Sequence, residues 1–151
     1  MSDQRTLDPA PNIAIVISRF NKVVTDKLLA GAQERFAELV PNDQPLVISV
    51  PGAIEIPFIV QKLAKAGGYD AIVALGAVIR GETTHYDYVC DQVSTGCQSV
   101  MLQYDLPVIF GVLTTENLAQ ALDRVGGAHG HKGKDAIDVA FHMISLNRQL
   151  S

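Results

Sequence analysis

The chain has little charge, no tryptophan and only two cysteines among its 151 residues. Charged residues make up 19% of it, below the usual quarter, and its lysines and arginines form no run. A protein that binds nucleic acid regardless of sequence needs a basic patch, whereas the net charge here is −4. The sequence therefore argues against a nucleic-acid binder.

The sequence also shows no membrane or export signal. No uncharged stretch reaches the length of a membrane span, and residues 1–11 are polar with two prolines. Cys90 and Cys97 are seven residues apart in a predicted helix, roughly 10 Å along its axis. A disulfide needs Cα atoms within about 7 Å. These cysteines are therefore predicted to be buried thiols of a cytoplasmic protein.

Common cofactor and nucleophile motifs are missing. The sequence has no G-x-G-x-x-G, G-x-x-x-x-G-K-[ST], G-x-S-x-G or C-x-x-C pattern. These absences argue against a standard dinucleotide binder, P-loop NTPase or serine hydrolase.

Short apolar runs alternate with segments of helical spacing. This order predicts an α/β fold, with a parallel sheet covered by helices on both faces. We divide the chain into an N-terminal arm, 1–11, and a single α/β domain, 12–151. The predicted strands are 12–18, 46–50, 71–78 and 107–113, and the predicted helices are 24–39, 55–65, 84–104, 117–125 and 134–150.

Hydrophobic residues make up 48% of the chain, at the top of the globular range. In addition, Asp91 is the only charged residue between Asp87 and Asp105, although a solvated helix face normally carries Lys and Glu. We therefore expect a homo-oligomer with the third helix at its axis.

The segment 76–87 is the strongest candidate for a site. It leaves the carboxyl end of a predicted strand, where parallel α/β sheets bind ligands. Thr84-x-x-Asp87 has the form of a capping box. Thr83 and Thr84 either bind a phosphate at the helix start or only cap it. For His85 we favour general acid/base work over a structural role.

The other strand ends are ambiguous when each is taken alone. Phe20 is either core or a platform for a planar ring, and Asn21 either caps a helix or contacts ligand. The carboxylate of Glu55 either interacts favourably with the dipole of the helix in whose first turn it lies, or accepts hydrogen bonds from a polar ligand. The fourth strand is expected to end at residues 110–115.

A glycine- and histidine-rich loop, 126–133, follows the fourth helix. Arg124 and Lys132 flank it, and they are candidates if the loop folds over a site. His129-x-His131 near Asp135 is a weak metal candidate without an obvious third ligand, so no metal site is predicted. The residues alone indicate an oligomeric protein that binds a planar ring and a phosphorylated small molecule.

The sequence resembles the lumazine synthase family from about residue 12 to 148. The segments that carry this resemblance are 18–21, 50–57, 76–90, 107–117, Arg124 and Lys132-Gly133. It implies a three-layer, flavodoxin-like four-stranded parallel sheet, and pentamers whose active sites lie between subunits. It also implies condensation of 5-amino-6-(D-ribitylamino)uracil with 3,4-dihydroxy-2-butanone 4-phosphate, a transferase reaction of riboflavin biosynthesis without cofactor or metal. Riboflavin synthase is a candidate partner.

The resemblance implies a role for each matching position. His85 would transfer protons, and the other positions would bind the two substrates. Those binding positions are Phe20 and Phe110 for the ring, Asn21, Ala53, Ile54 and Glu55 for the ribityl chain, Ala77, Val78 and Ile79 for the uracil edge, Glu82, Thr83 and Arg124 for the phosphate, and Lys132 nearby.

The sequence departs from the family pattern at two places, and it allows one alternative function. Glu82 places an acid in the phosphate loop, and we expect its side chain to face outward. The loop 126–131 carries no insertion of the kind associated with free pentamers. A sixty-subunit icosahedral shell is therefore a candidate for the assembly. The alternative function is a non-catalytic shell or flavin-binding protein of the same fold.

Overall fold

A computed structural model describes residues 7–151 of the chain. Its centre is a four-stranded parallel sheet with the order β2-β1-β3-β4 and helices on both faces, which confirms the predicted flavodoxin-like α/β class. The strands are β1 Ile13–Ser18, β2 Leu46–Val50, β3 Ala71–Ile79 and β4 Val108–Thr115; the helices are α1 Lys22–Leu39, α2 Ile56–Ala66, α3 His85–Tyr104, α4 Leu118–Leu122 and α5 Lys132–Leu150.

The central strands are buried on both sides, which explains why they appear in the sequence as unbroken apolar runs. In β1, Ile13, Ile15 and Ile17 face one core cluster, whereas Ala14 and Val16 face another. Helices α1 and α5 cover the first cluster, and α2 and α3 cover the second. Two layers of helices therefore bury the sheet and leave its carboxyl edge free for a site.

Two predicted boundaries near that edge were wrong. Strand β4 continues to Thr115, so Phe110 lies inside the strand opposite Ala74 rather than at its end. Helix α4 covers only Leu118–Leu122 and is capped by Asn117, whose side chain accepts a hydrogen bond from the Gln120 N–H. The Thr115 hydroxyl donates to the Asn117 carbonyl at 2.9 Å, just before this cap.

The predicted glycine-rich loop contains a small antiparallel hairpin, β5 Val125–Gly127 and β6 Gly130–His131. Gly126 and Gly130 have positive φ values of 111° and 77°, which an L side chain rarely adopts. Helix α5 follows directly, two residues earlier than predicted.

Residues 1–6 of the predicted arm lie outside the described residues. In the rest of the arm, Leu7 packs against the first core cluster, and the Pro9 carbonyl accepts a 2.8 Å hydrogen bond from Arg148. Within residues 7–151, no helix is both long and apolar enough to cross a membrane.

Candidate active site

A cavity of about 300 Å³ lies at the carboxyl edge of the sheet. It is built from the segments that follow β1 and β2, from the end of β3 and from the start of α3. Its lining residues are Phe20, Asn21, Gly52, Ala53, Ile54, Ala77, Val78, Ile79, Gly81, Thr83, His85, Tyr86 and Val89. Nine of them belong to the predicted set, and we call this space the ring cavity. The ends of β1, β2 and β3 converge there, whereas the end of β4 lines a different cavity.

Phe20 stands at the mouth of the ring cavity with 69% of its surface exposed, so the alternative that it is a core residue is wrong. Two backbone hydrogen bonds fix this segment, from Arg19 N to the Val50 carbonyl at 2.8 Å and from Phe20 N to the Pro51 carbonyl at 3.1 Å. An exposed aromatic ring on a fixed backbone is suited to stacking against a planar ligand.

Asn21 does not cap α1 with its side chain. Its backbone is left-handed, with φ of 61°, and its Nδ2 donates to the Ala77 carbonyl at 2.8 Å. Asparagine tolerates this conformation better than most residues. The side chain therefore ties the segment after β1 to β3.

The segment after β2 forms a 3-10 helix, Ala53–Glu55. The Gly52 N–H donates to Glu55 Oε1 at 2.8 Å, which closes the turn. Ala53 and Ile54 line the ring cavity, whereas Glu55 is not in its lining. One carboxylate oxygen of Glu55 is therefore already in structural use.

The predicted capping box at α3 is not formed. Thr84 makes no side-chain cap, and Thr83 Oγ1 instead accepts a 3.3 Å hydrogen bond from the His85 N–H. His85 is the first residue of α3 and is exposed in the ring cavity wall. Glu82 is exposed but is not among the lining residues.

Arg80 anchors the loop that carries these residues, and the sequence analysis missed it. Its guanidinium lies 4.4 Å from the centre of the Tyr86 ring, and Nε is 2.9 Å from Glu116 Oε1. Its Nη2 is 3.5 Å from Asp87 Oδ1. Tyr86 also lines the ring cavity, and burial raises the pKa of its hydroxyl. Arg80 therefore joins the start of α3 to the end of β4.

A second cavity of about 370 Å³ contains the predicted cations, and we call it the cation cavity. Arg124 and Lys132 line it with His129 and Asp135, and no described residue lines both cavities. Arg124 is half-buried and donates to the Gln120 carbonyl at 2.8 Å. The guanidinium and ammonium groups suit an anion such as phosphate.

His131 is excluded from a metal pair with His129 by its contacts. Its Nδ1 accepts hydrogen bonds from the N–H groups of Gly133 and Lys134, at 3.1 and 3.4 Å. In the described part of the chain, no three His, Cys, Asp or Glu residues are grouped to hold a metal ion.

Phe110 lines neither cavity. It is half-buried in β4 and packs against the core cluster under α2 and α3.

Cys90 and Cys97 are free, and burial raises the pKa of the Cys97 thiol to about 11. A thiol of that pKa is unreactive at neutral pH.

Comparison with known proteins identifies the family. The sequence model of 6,7-dimethyl-8-ribityllumazine synthase matches residues 10–148. The 6,7-dimethyl-8-ribityllumazine synthase of Coxiella burnetii strain Dugway 5J108-111 is 55% identical over 139 residues, which cover 91% of this chain and 92% of the relative. Proteins of the same name from strains CbuG_Q212 and RSA 493 / Nine Mile phase I are 54% identical over the same shares. The chain belongs to the 6,7-dimethyl-8-ribityllumazine synthase family.

Proposed function

We propose that the ring cavity of one subunit and the cation cavity of its neighbour form one active site for 6,7-dimethyl-8-ribityllumazine synthesis. Family membership gives the reaction, a transferase step of riboflavin biosynthesis. The observation that carries the two-subunit arrangement is that the groups suited to a planar ring and those suited to a phosphate line separate cavities of one chain. Condensation requires both reactants in one place, and a second copy can supply the missing half.

The ring cavity would hold 5-amino-6-(D-ribitylamino)uracil. Strand β3 pairs with β1 only as far as Leu75, but with β4 as far as Ile79. Because backbone groups alternate along a strand, Ala77 and Ile79 direct theirs toward the side where β1 has ended. The Ala77 carbonyl already accepts Asn21 Nδ2 there. These backbone groups can bind the uracil edge while Phe20 stacks on the ring.

The ribityl chain would lie along the segment after β2. Ala53 and Ile54 would contact the chain with their side chains and backbone groups. The Glu55 carboxylate oxygen that is not bonded to the Gly52 N–H can accept a hydrogen bond from a ribityl hydroxyl. Asn21 is close by through its bond to Ala77. Phe110 of the neighbouring subunit would cover the ring, a role that depends on the assembly because Phe110 lines neither cavity in one chain.

The phosphate of 3,4-dihydroxy-2-butanone 4-phosphate would bind where the two cavities meet. Thr83 and the backbone of Glu82 supply neutral donors at the start of α3, and Arg124 and Lys132 of the neighbour supply positive charge. Glu82 is exposed and outside the cavity lining, which supports our view that its carboxylate faces away from the phosphate.

His85 would move protons during the condensation. The 5-amino group of the uracil attacks the ketone, and the carbinolamine loses water to give an imine. Phosphate then leaves by elimination with Arg124 as its charge partner, and the ribityl-bearing nitrogen closes the ring with loss of a second water. Histidine can both donate and accept a proton at neutral pH. No enzyme lysine is needed for an imine, because the substrate supplies the amine.

Lumazine absorbance tests the proposal directly. The protein is mixed with both substrates and compared with an enzyme-free blank and with Arg124→Ala. Arg148→Ala is the matched control, because Arg148 is also half-buried and also donates to a backbone carbonyl at 2.8 Å. We expect a rate above the blank that falls in Arg124→Ala and survives in Arg148→Ala. A wild-type rate equal to the blank would favour the non-catalytic shell or flavin-binding alternative.

We also propose that the chain assembles in the cytoplasm as pentamers, that these pentamers can build an icosahedral shell, and that riboflavin synthase is a partner of the assembly. The support is apolar surface on the α2 and α3 side, where Phe58, Tyr88 and Leu102 are 61%, 65% and 70% exposed. Analytical ultracentrifugation measures the assembly, and a monomer would contradict it.

A further inference from the structure

The ring of His131 occupies the N-terminus of α5, where helices usually have Asn, Asp, Ser or Thr. Its backbone is extended, and its Nδ1 accepts from both Gly133 N and Lys134 N. Only a neutral imidazole has a nitrogen that can accept a hydrogen bond. This cap therefore exists only while His131 is unprotonated.

Two glycines make room for that ring. Gly31 lies inside α1, and a Cβ there would overlap the imidazole. A Cβ on Gly133 would lie 3.1 Å from His131 Cε1 and would overlap the Leu28 carbonyl. Glycine inside a helix is less favourable than alanine by about 1 kcal/mol, so its presence in α1 indicates a steric requirement. The ring is thus seated between α1 and α5.

The same residue belongs to the hairpin that carries the cation cavity. His131 pairs with Val125 across β5 and β6, and Lys132 N donates to the Arg124 carbonyl at 2.7 Å. His129 N donates to the Asp123 carbonyl at 2.8 Å. Because Arg124 and Lys132 flank this hairpin, its position relative to α1 sets where their charges lie.

The surroundings of the ring favour its neutral form. Burial lowers the pKa of His131, and the nearby Lys134 lowers it further. Asp135 on α5 and the Lys27 carbonyl on α1 act in the opposite direction and are outweighed. Glu34 on α1 pairs with Lys134 at 3.0 Å. On the hairpin side, the charged residues are Asp123 and Arg124, just before β5, and Lys132, next to His131 itself. His129, in the turn of the hairpin, is also titratable.

We propose that His131 is a positioning residue: its neutral ring locks the hairpin against α1 and α5, and so places Arg124 and Lys132 for the substrate phosphate. Protonation of the ring removes the cap and loosens that placement. The inference depends on the proposed function of the cation cavity, but the lock itself is measurable without turnover.

The direction of the pH effect follows from the lowered pKa. As the pH falls through the ordinary titration range of histidine, the unfolded chain takes up the proton before the folded chain does. The cap's contribution to stability is therefore complete above that range and decreases below it. Because the intrinsic rate of amide exchange itself falls with pH, the readout is protection: exchange at the Gly133 and Lys134 amides, relative to the intrinsic rate at each pH, should become faster over the same interval.

The test compares wild type with His131→Asn and His131→Ala between roughly pH 8 and pH 5, which spans the titration of histidine. Asparagine caps a helix well and does not titrate there. The readouts are kcat, the KM for the butanone phosphate, inhibition by inorganic phosphate, and amide exchange at Gly133 and Lys134. The substrate phosphate and the other histidines are common to all three proteins, so the ratio of the wild-type value to the His131→Asn value at each pH isolates the contribution of His131.

At neutral pH we expect His131→Asn to resemble wild type and His131→Ala to raise KM by roughly three- to tenfold, the factor that corresponds to a lost helix cap. On acidification, the wild-type KM should rise relative to that of His131→Asn. Identical pH profiles for these two proteins would overturn the inference, even if His131→Ala fails to fold. If Arg124→Ala left activity intact while the amide exchange followed the expected pattern, the proposed function would fail and the lock would stand.

Discussion

Single residues at the ring cavity differ in how much of their chemistry remains available to a ligand. Asn21 and Glu55 already bond to the protein's own backbone, whereas His85 is exposed in the cavity wall. His85 is therefore the group best placed to exchange protons with a bound substrate. Much of the acceleration can still come from holding two reactants in register.

His85→Ala is expected to slow the reaction without abolishing it. The loss in kcat should lie at the low end of the ~10²–10⁴-fold range typical of acid/base groups. His142→Ala is a suitable control, because His142 is also an exposed histidine and lines neither cavity. Steady-state kinetics measures the effect, and an unchanged kcat in His85→Ala would remove the proton-transfer role.

Ser18→Ala is expected to stabilise the fold. Ser18 is 1% exposed, and among the described residues its hydroxyl has no hydrogen-bond partner. An unsatisfied buried hydroxyl costs on the order of 1–3 kcal/mol, so its removal should raise the free energy of unfolding by about 1 kcal/mol. Denaturant unfolding tests this, and a destabilised variant would show that the hydroxyl is satisfied in solution.

At the scale of elements, the start of α3 depends on Arg80. Its contacts with Tyr86, Asp87 and Glu116 join the His85 segment to the end of β4. We expect Arg80→Met to lower kcat/KM by roughly 10- to 100-fold through misplacement of the cavity wall. Thermal stability should change little, because exposed ion pairs contribute little to it.

Arg35→Met is the control for this prediction. Arg35 also makes two ion pairs, but its partners, Glu38 and Asp138, line neither cavity, whereas Arg80 contacts Tyr86 of the ring cavity. Arg80→Lys should recover part of the activity by restoring the charge. Equal kinetic effects of Arg35→Met and Arg80→Met would show that the loss reflects general stability and not placement of the loop.

The sequence predicted those elements whose signals are local. The strands of residues 46–50 and 71–79 were found to within a residue because each is a short apolar run with a clear end, which is Pro51-Gly52 after β2 and a polar loop after β3. Strand β4 was predicted to end at Leu113, but Thr114 and Thr115 extend it by pairing with Val78 and Ile79, a contact between distant segments that local sequence does not show. The seat of the His131 ring against α1 was not predicted, because it depends on Gly31, which is distant in the chain.

At the scale of the whole molecule, the groups suited to a planar ring and the groups suited to a phosphate lie in separate cavities of one chain. Of the predicted ring-binding residues, Phe20 lines the ring cavity and Phe110 lines neither cavity, whereas Arg124 and Lys132 lie in the cation cavity. Low charge and high apolar content indicated an oligomer, but no pattern in a single sequence shows which faces meet. In the proposed mechanism, turnover therefore requires that neighbouring subunits complete each other's sites.

Co-expression of His85→Ala with Arg124→Ala tests that claim most directly. Each variant alone should be impaired, because each damages a different half of every site. In a mixed oligomer, random assortment of the two subunits gives about a quarter of the interfaces an intact His85 facing an intact Arg124. We predict that the mixture recovers about that fraction of wild-type lumazine synthesis, well above either parent. Activity that stays at the mean of the two parents would place the whole site within one subunit and contradict the account.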